Sequence, residues 1–216
     1  MISLDDVCHR LFKSGDNSAV LYQLLTSISE NVAQPPHWVH QMLMRCNWEV
    51  AVENTLEDLH VPFVHRHSFH KLRLKRLGMQ RHGKHSIAFY QVGDERIVKG
   101  LQSMSRWFVH VDPTVYFHLL IYPNVCLSSV GGFSYSLQHY EGSKDGTWFS
   151  TQLFPGKLAA RAPDLRSFFD EAARFNRQVF EEDAEICANV QGRGGVLMPQ
   201  EQRIAWFREE RDKELA

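Results

Sequence analysis

The sequence has little of what marks secreted, membrane-embedded or zinc–thiolate proteins. Its 216 residues include only four cysteines, and none lies in a CxxC or other close pair: Cys8, Cys46, Cys126 and Cys187. Neither a disulfide framework nor a zinc–thiolate site is therefore indicated. No apolar run approaches the roughly 20 residues that a membrane span needs, and the first 16 residues carry acids where a secretory signal would be apolar. We expect a cytoplasmic protein with reduced cysteines.

Charge of either sign is not in excess. Lys and Arg number 24 against 25 Asp and Glu, for a formal net charge of -1. This balance gives no overall attraction to nucleic acid or to an anionic membrane. Hydrophobic residues make up 44% of the chain, which is far from the composition of disordered proteins. The sequence predicts a globular protein with a buried core that binds neither nucleic acid nor membrane.

The chain begins with residues 1–45, which read as a helical lead-in with loops, stopped at Pro35 and Pro36. Residues 46–216 are expected to form the main domain. That domain opens with a helix over residues 46–63, whose end Pro62 should disturb. Apolar residues at spacings of four, four and three mark one face of this helix: Trp48, Val52, Leu56 and Leu59.

The middle of the chain is typical of strands. Six short stretches between residues 86 and 156 are rich in aromatic and β-branched residues and are separated by Gly, Pro, Asn or Asp: SIAFYQVG, SRWFVHVDP, TVYFHLLIYP, NVCLSSVGG, FSYSLQHYEG and TWFSTQLFPG. Helical spacing returns after Pro163 and ends near Gly192 and Gly194, and a charged helix follows over residues 200–215. This order predicts an α+β fold in which a curved antiparallel sheet wraps around a long C-terminal helix.

Four of the twelve histidines fall within eleven residues: His60, His65, His67 and His70. Two imidazoles and one carboxylate can hold Fe(II) on one face and leave positions open for dioxygen and substrate. In a regular helix His60 and His65 would diverge by about 140°. Pro62 must end, kink or widen the helix, which could turn both rings towards one point. The carboxylate of Glu57, one turn before His60, could fix the tautomer of that ring.

The string NWEVAVENTLEDLHVPFVH, residues 47–65, resembles the catalytic-domain signature of the large subunits of Rieske-type non-haem iron oxygenases. That signature runs N-W-K, three residues, E-N, then an acid, two residues, His, four residues, His. Four later stretches also resemble the family: IYPNV, TWFSTQLF, FEEDAEICANVQGRGG with a Gln eight residues after its Asp, and GVLMPQEQRIAWF. The resemblance covers residues 47–215 and implies a helix-grip (START/Bet v 1-like) fold.

Carried over residue by residue, the resemblance makes His60 and His65 the imidazole ligands of Fe(II) and Asp183 the carboxylate ligand. Glu57 matches the acid that hydrogen-bonds a ligand histidine and bridges to the iron–sulfur domain of a neighbouring subunit, and Asn54 is expected beside the ligands. Because Asp58 adjoins Glu57, the roles of these two acids could be exchanged.

The sequence departs from the family pattern at three positions, none of them a ligand. Glu49 replaces the usual Lys, and Leu59 replaces the usual aromatic residue before the first His. Glu57 replaces the commoner Asp, which resembles the branch acting on quaternary ammonium compounds.

The resemblance implies a mononuclear non-haem Fe(II) oxygenase component that activates dioxygen for hydroxylation or oxidative demethylation of a small organic substrate. The chain lacks the C-x-H and C-x-x-H pairs of a Rieske centre, so no [2Fe-2S] cluster is expected in it. A Rieske-bearing or ferredoxin/reductase partner would supply electrons, in a homotrimer or hetero-oligomer. The alternative is a non-catalytic small-molecule-binding or regulatory subunit. The expected pocket walls are Phe117, Leu119, Phe133 and Tyr135.

Other patterns favour plainer interpretations. KLRLKR, residues 71–76, reads as an alternating strand with one basic face rather than a nucleic-acid patch. His67 and His70 read as surface or pocket-lining residues. His110-Val111-Asp112 has the H-x-D form of 2-oxoglutarate dioxygenases, with His118 or His139 as distal ligand, but no suitably spaced arginine follows. The remaining histidines read as exposed or satisfied: His9, His37, His40, His82 and His85.

Overall fold

The computed structural model describes residues 19–105, 112–157, 159–162, 165–190 and 197–216. Seven strands form one open antiparallel sheet with the order β1-β7-β6-β5-β4-β3-β2. The strands are β1 (Trp38–Met44), β2 (Lys75–His82), β3 (His85–Gln91), β4 (Val115–Ile121), β5 (Val125–Val130), β6 (Ser134–Ser143) and β7 (Gly146–Pro155). The α-helices are α1 (Ala19–Asn31), α2 (Trp48–Leu56), α3 (Val61–Val64), α4 (Glu95–Ser105), α5 (Arg166–Val190) and α6 (Gln202–Leu215). Short 3₁₀ helices span Phe69–Leu72, Ala159–Arg161 and Pro199–Glu201.

The two faces of the sheet carry different layers, because successive side chains of a strand point to opposite sides. On one face, α1 packs on a dry apolar cluster that includes Leu25, Ile28, Leu119, Leu127 and Leu137. The other face meets α2, α5 and α6. A second cluster there includes Val52, Leu120, Phe149, Phe180 and Phe207.

The α+β helix-grip prediction is confirmed. The sheet is not closed, and the 25-residue helix α5 lies against it. A buried aromatic pair joins the two layers, since the rings of Phe149 on β7 and Phe180 on α5 have centroids 4.7 Å apart. The charged helix predicted near residues 200–215 is also present, as α6.

Three local predictions were wrong. Residues 38–44, expected to be helix or loop, form β1, whose Trp38 pairs with Leu153 of β7. The helix predicted over residues 46–63 ends at Leu56, and a separate four-residue helix begins at Val61. In the KLRLKR stretch the strand starts only at Lys75, because the preceding residues belong to a 3₁₀ turn.

Some predictions fall outside the described residues. These are the helix stops Gly192 and Gly194, most of the SRWFVHVDP strand with His110 and Val111, and the N-terminal residues with Cys8 and His9. Within the described part of the chain, no helix combines the length and the apolar character that a bilayer crossing requires.

Candidate metal centre

The short helix α3 brings His60 and His65 together. His60 is the N-cap of α3 and His65 its C-cap, so a single helical turn separates the two rings. Pro62 lies in the first turn of α3, where its missing N–H has no partner to lose and its fixed φ favours helix initiation. The proline therefore starts a new helix, and does not kink a continuous one as the sequence pattern suggested.

Asp183, midway along α5, supplies the third group. Its Oδ1 atom lies 3.0 Å from His65 Nε2 and 3.4 Å from His60 Nε2, and the two Nε2 atoms are 3.1 Å apart. Ligands about 2.1 Å from a divalent ion and at right angles to each other would be separated by about 3.0 Å. The three donor atoms thus have the spacing of one face of an octahedral site, and this donor set fits a divalent first-row metal.

Each of the two histidines also contacts a carboxylate other than that of Asp183. Glu57 Oε1 contacts His60 Nδ1, and Glu182 Oε2 lies 2.7 Å from His65 Nδ1. An ionised carboxylate can only accept a proton at Nδ1, so in the neutral form of each imidazole the Nε2 lone pair would face the other two donor atoms. The sequence pattern did not assign Glu182. Its place in the E-E-D string beside Asp183 was the available signal, and only the fold shows that it reaches His65.

Asn54 and Glu57 both contact the group formed by His60, His65 and Asp183. Asn54 Nδ2 donates to Asp183 Oδ1 over 2.8 Å, from the helix α2 that packs beside α5. Glu57 Oε2 also accepts the backbone N–H groups of Leu59 and His60, which holds the carboxylate in place. Asp58 instead forms an ion pair with Arg76. Of the two adjacent acids, Glu57 is therefore the one at the metal position.

The mutual charges of the metal-free site shift its pKa values. Burial alone would lower the pKa of His60, but the hydrogen bonds to Asp183 and Glu57 outweigh burial and raise that pKa to about 9. The pKa of His65 is raised for the same reason, against burial, by Asp183 and Glu182. Burial would raise the pKa of Asp183, but His60 and His65 lower it to about 2. A bound cation would replace these protons.

A cavity of about 670 Å³ opens onto the metal position. Aromatic side chains line its helical side, namely Phe69 of the 3₁₀ helix and Phe168 and Phe175 of α5, and small polar side chains line the sheet side. His67 borders this cavity, whereas His70 is exposed outside it. The cavity is thus a mixed polar and apolar chamber between the sheet and α5.

The four predicted pocket walls do not line this cavity. Phe117, Leu119 and Tyr135 belong to the apolar cluster under α1, and Phe133 packs against Phe168 in a third cluster. The cavity is lined instead by residues that alternate with them along the strands: Tyr116, His118, Ser134 and Ser136. The predicted facing was wrong by one residue, which on a strand moves the whole set to the opposite face.

The described part of the competing H-x-D motif does not assemble a site. Asp112 Oδ1 accepts hydrogen bonds from the backbone and the hydroxyl of Thr114. His118 contacts Thr55 and Arg203, and His139 lies 3.4 Å from Asn124. Neither histidine is among the groups that approach a common metal position in the described residues.

Comparison with known proteins shows the family to which the chain belongs. Residues 27–209 match the family described as the catalytic domain of the ring-hydroxylating alpha subunit. The chain therefore belongs to the family of ring-hydroxylating oxygenase alpha-subunit catalytic domains. A search of curated proteins found no match.

Solved structures of Rieske monooxygenases share the fold. The quaternary ammonium Rieske monooxygenase CntA, in complex with L-carnitine, has a TM-score of 0.66 and 13% identity over 91% of this chain and 53% of its own. Dicamba monooxygenase has a TM-score of 0.58 and 11% identity over 82% of this chain and 58% of its own. NdmA of Pseudomonas putida CBB5 has a TM-score of 0.54 and 13% identity over 82% and 51%. The chain thus spans about half the length of these relatives.

Proposed function

We propose that the chain is the catalytic component of a mononuclear non-haem Fe(II) oxygenase, with His60, His65 and Asp183 as the iron ligands. The observation that carries this proposal is the convergence of their three donor atoms, all within 4.8 Å of one another, at the end of a cavity. Bound iron would supply the redox centre at which dioxygen is reduced with electrons from outside. Hydroxylation or oxidative demethylation of a small organic substrate is the expected outcome.

The chain's own residues prepare this site. Glu57 and Glu182 hold the two Nδ1 protons, so the imidazoles bind as neutral ligands in a fixed orientation. Asn54 donates to Asp183 Oδ1, which limits rotation of that carboxylate. The aromatic side chains of the cavity would exclude water from a bound substrate. Each of these arrangements is in place before any ligand binds.

Electron delivery is proposed to require a partner at Glu57. No Rieske-type cysteine–histidine pairs occur in these 216 residues, and the cycle needs two electrons. The side chain of Glu57 touches His60 and retains 12% of its exposure to solvent. A Rieske-bearing or ferredoxin partner docked there would have a hydrogen-bonded path to a ligand, in a homotrimer or a hetero-oligomer.

Anaerobic loading with Fe(II), followed by metal analysis, tests the ligand set. The wild-type chain should bind one iron, Asp183→Ala should bind none while its circular dichroism spectrum is retained, and His70→Ala should bind iron like the wild type. His70 is a matched control because it lies in the same segment but is exposed outside the cavity. Full iron loading of Asp183→Ala would contradict the proposed ligands.

Turnover separates the enzyme from the alternative of a binding or regulatory subunit. Iron-loaded protein should oxidise a substrate when dithionite or a reductase supplies electrons, and product formation should require His60 and His65. Iron-replete protein that oxidises no compound with either donor would favour the non-catalytic subunit.

A further inference from the structure

The sheet side of the cavity is polar and deeply buried. Gln138 is 4% exposed, Ser136 5%, and His118 5%, and all three border the cavity, the first two from β6 and the third from β4. Buried polar groups of this kind normally have at least one hydrogen-bond partner. The partners of these side chains therefore show what the floor of the cavity can offer to a ligand.

Arg203 holds one residue of this floor, His118, by a hydrogen bond. It reaches from α6 to the sheet and is only 2% exposed. Its Nε donates to Ser86 Oγ over 3.1 Å, and its Nη1 lies 3.0 Å from His118 Nδ1. A guanidinium can only donate. His118 Nδ1 is therefore an acceptor, and the ring proton of neutral His118 is on Nε2. Burial first, and then the charge of Arg203, hold the pKa of His118 well below its usual range.

The direction of the Arg203–His118 hydrogen bond determines the directions of the hydrogen bonds that follow it. His118 Nε2 lies 3.3 Å from Thr55 Oγ1, so the histidine donates and the threonine accepts. The hydroxyl proton of Thr55 is then free for Tyr140, whose pKa is raised by burial and lowered in part by a hydrogen bond from Thr55. Tyr140 in turn donates its hydroxyl proton to Gln138 Oε1 over 3.0 Å.

Gln138 is the last residue in this series of hydrogen bonds. Its Oε1 atom is occupied by Tyr140, so the amide must present its NH₂ group to the cavity. No described residue accepts a hydrogen bond from Gln138 Nε2. This nitrogen is not one of the fully enclosed, unpartnered polar atoms of the described residues, so it is accessible from the cavity, and a ligand that displaces water from it without offering an acceptor would cost free energy comparable to a lost hydrogen bond. A ligand with an acceptor atom at this point would remove that cost.

We propose, on the basis of the function proposed above, that Gln138 is a substrate-recognition residue and that the substrate is a small, largely apolar molecule with a neutral carbonyl oxygen that accepts from Gln138 Nε2. The aromatic wall on the helical side suits the apolar body. A carboxylate is less suited to the position beside Gln138, because Arg203 is turned towards Ser86 and His118 and the floor offers neutral donors. The cationic side chains that also border the cavity, Lys71 and Arg174, are on its helical side. A cationic head group would leave Nε2 without an acceptor.

Binding of acetophenone and ethylbenzene, which differ in one carbonyl oxygen, tests the proposal by calorimetric titration of the full chain. In Gln138→Met the ratio of the acetophenone to the ethylbenzene dissociation constant should rise about 3- to 10-fold above the wild-type ratio, which corresponds to one neutral hydrogen bond. Gln152→Met is the matched control. Gln152 is a buried glutamine on the next strand that pairs with Leu137, and its side chain is on the opposite face of the sheet.

Several results would overturn the proposal. These are an unchanged ratio in Gln138→Met, an equal rise in Gln152→Met, tighter binding of benzoate than of acetophenone, or no binding of any of the probes at millimolar concentration. A second measurement needs no Gln138 variant. ¹⁵N NMR of the wild-type protein should show His118 as the Nε2–H tautomer. The Nδ1–H tautomer would reverse the direction of the hydrogen bonds from His118 to Gln138 and would contradict the proposal. Neither measurement requires iron. Failure to bind iron would therefore contradict the proposed function and leave this result standing.

Discussion

Glu57 and Glu182 occupy equivalent positions on the two histidines of the site. Glu57 contacts His60 Nδ1 from the residue that follows α2, and Glu182 contacts His65 Nδ1 from α5. Ser68 and Gln178 both donate to Glu182, whereas backbone N–H groups hold Glu57. Two different segments thus orient the two neighbouring histidines that we propose as ligands, and the two carboxylates can be tested separately.

Replacement of Glu182 should weaken metal binding. Glu182→Ala removes the acceptor for His65 Nδ1, and loss of such an orienting partner typically costs about 10- to 100-fold in metal affinity. Competition with a chelator under anaerobic conditions measures the change. Glu181→Ala is the control, because Glu181 is exposed and pairs with Arg177 on the same helix. Equal losses in both variants would assign the effect to the overall charge of α5.

Glu57→Gln should retain iron but lose turnover that depends on a protein electron donor. The amide oxygen can still accept from His60 Nδ1, whereas the charge proposed to link the site to a partner is removed. Rates driven by a reductase should therefore fall more than rates driven by hydrogen peroxide. If both rates fall equally, the bridging role of Glu57 is refuted.

The stability of the metal-free protein should decrease as the pH rises from about 6.5 to about 9. The folded pKa of His60 is raised to about 9 from an ordinary value near 6.5, so protonated His60 stabilises the fold fully below pH 6.5 and this contribution is lost through pH 9. His60 contributes at most about 1.4 kcal/mol per pH unit to this slope, and His65, whose pKa is also raised, contributes in the same direction. Urea unfolding at several pH values measures the slope, and His60→Asn should reduce it.

Metal affinity should follow the opposite trend. The cation must displace the proton from His60, so the apparent affinity should increase up to about tenfold per pH unit until the pH reaches about 9. Zinc titrations between pH 6.5 and 9 are a simple measurement. An affinity that does not change over this range would show that His60 is already neutral in the metal-free protein.

Leu119→Ala should destabilise the fold without affecting the metal site. Leu119 is fully buried under α1, and truncation of such a leucine typically costs about 2–5 kcal/mol. Iron stoichiometry in the folded variant should equal that of the wild type. Leu77→Ala, at a position with 57% exposure, should change the free energy of unfolding by at most about 0.5 kcal/mol. If Leu119→Ala keeps the wild-type free energy of unfolding but loses ligand binding, the assignment of Leu119 to the core under α1 is wrong and the residue lines the cavity.

The sequence was informative where spacing is specific. The N-W, E-N, acid and two-histidine pattern identified His60, His65, Glu57 and Asn54, and the structure brings these residues to one position with Asp183. The sheet and the long C-terminal helix followed from their periodicities. These features are local, so a linear pattern is sufficient to locate them.

The facing of the strands could not be read in the same way. Alternation along β4 separates Phe117 and Leu119 from Tyr116 and His118 but does not say which set meets the cavity. The more apolar set is buried under α1, and that contact depends on a helix more than 80 residues earlier. Glu182 was missed for a similar reason, since its contact with His65 joins residues 117 positions apart.

The positions of the three proposed ligands along the sequence have a further consequence. His60 and His65 flank one helical turn, but Asp183 is 118 positions beyond His65. A metal ion held by all three would close a loop that contains most of the sheet, and such a cross-link reduces the conformational freedom of the unfolded chain more than a local one does. The ion would thereby link α3 to α5. Its removal would increase amide hydrogen exchange most strongly in the part of α5 around Asp183.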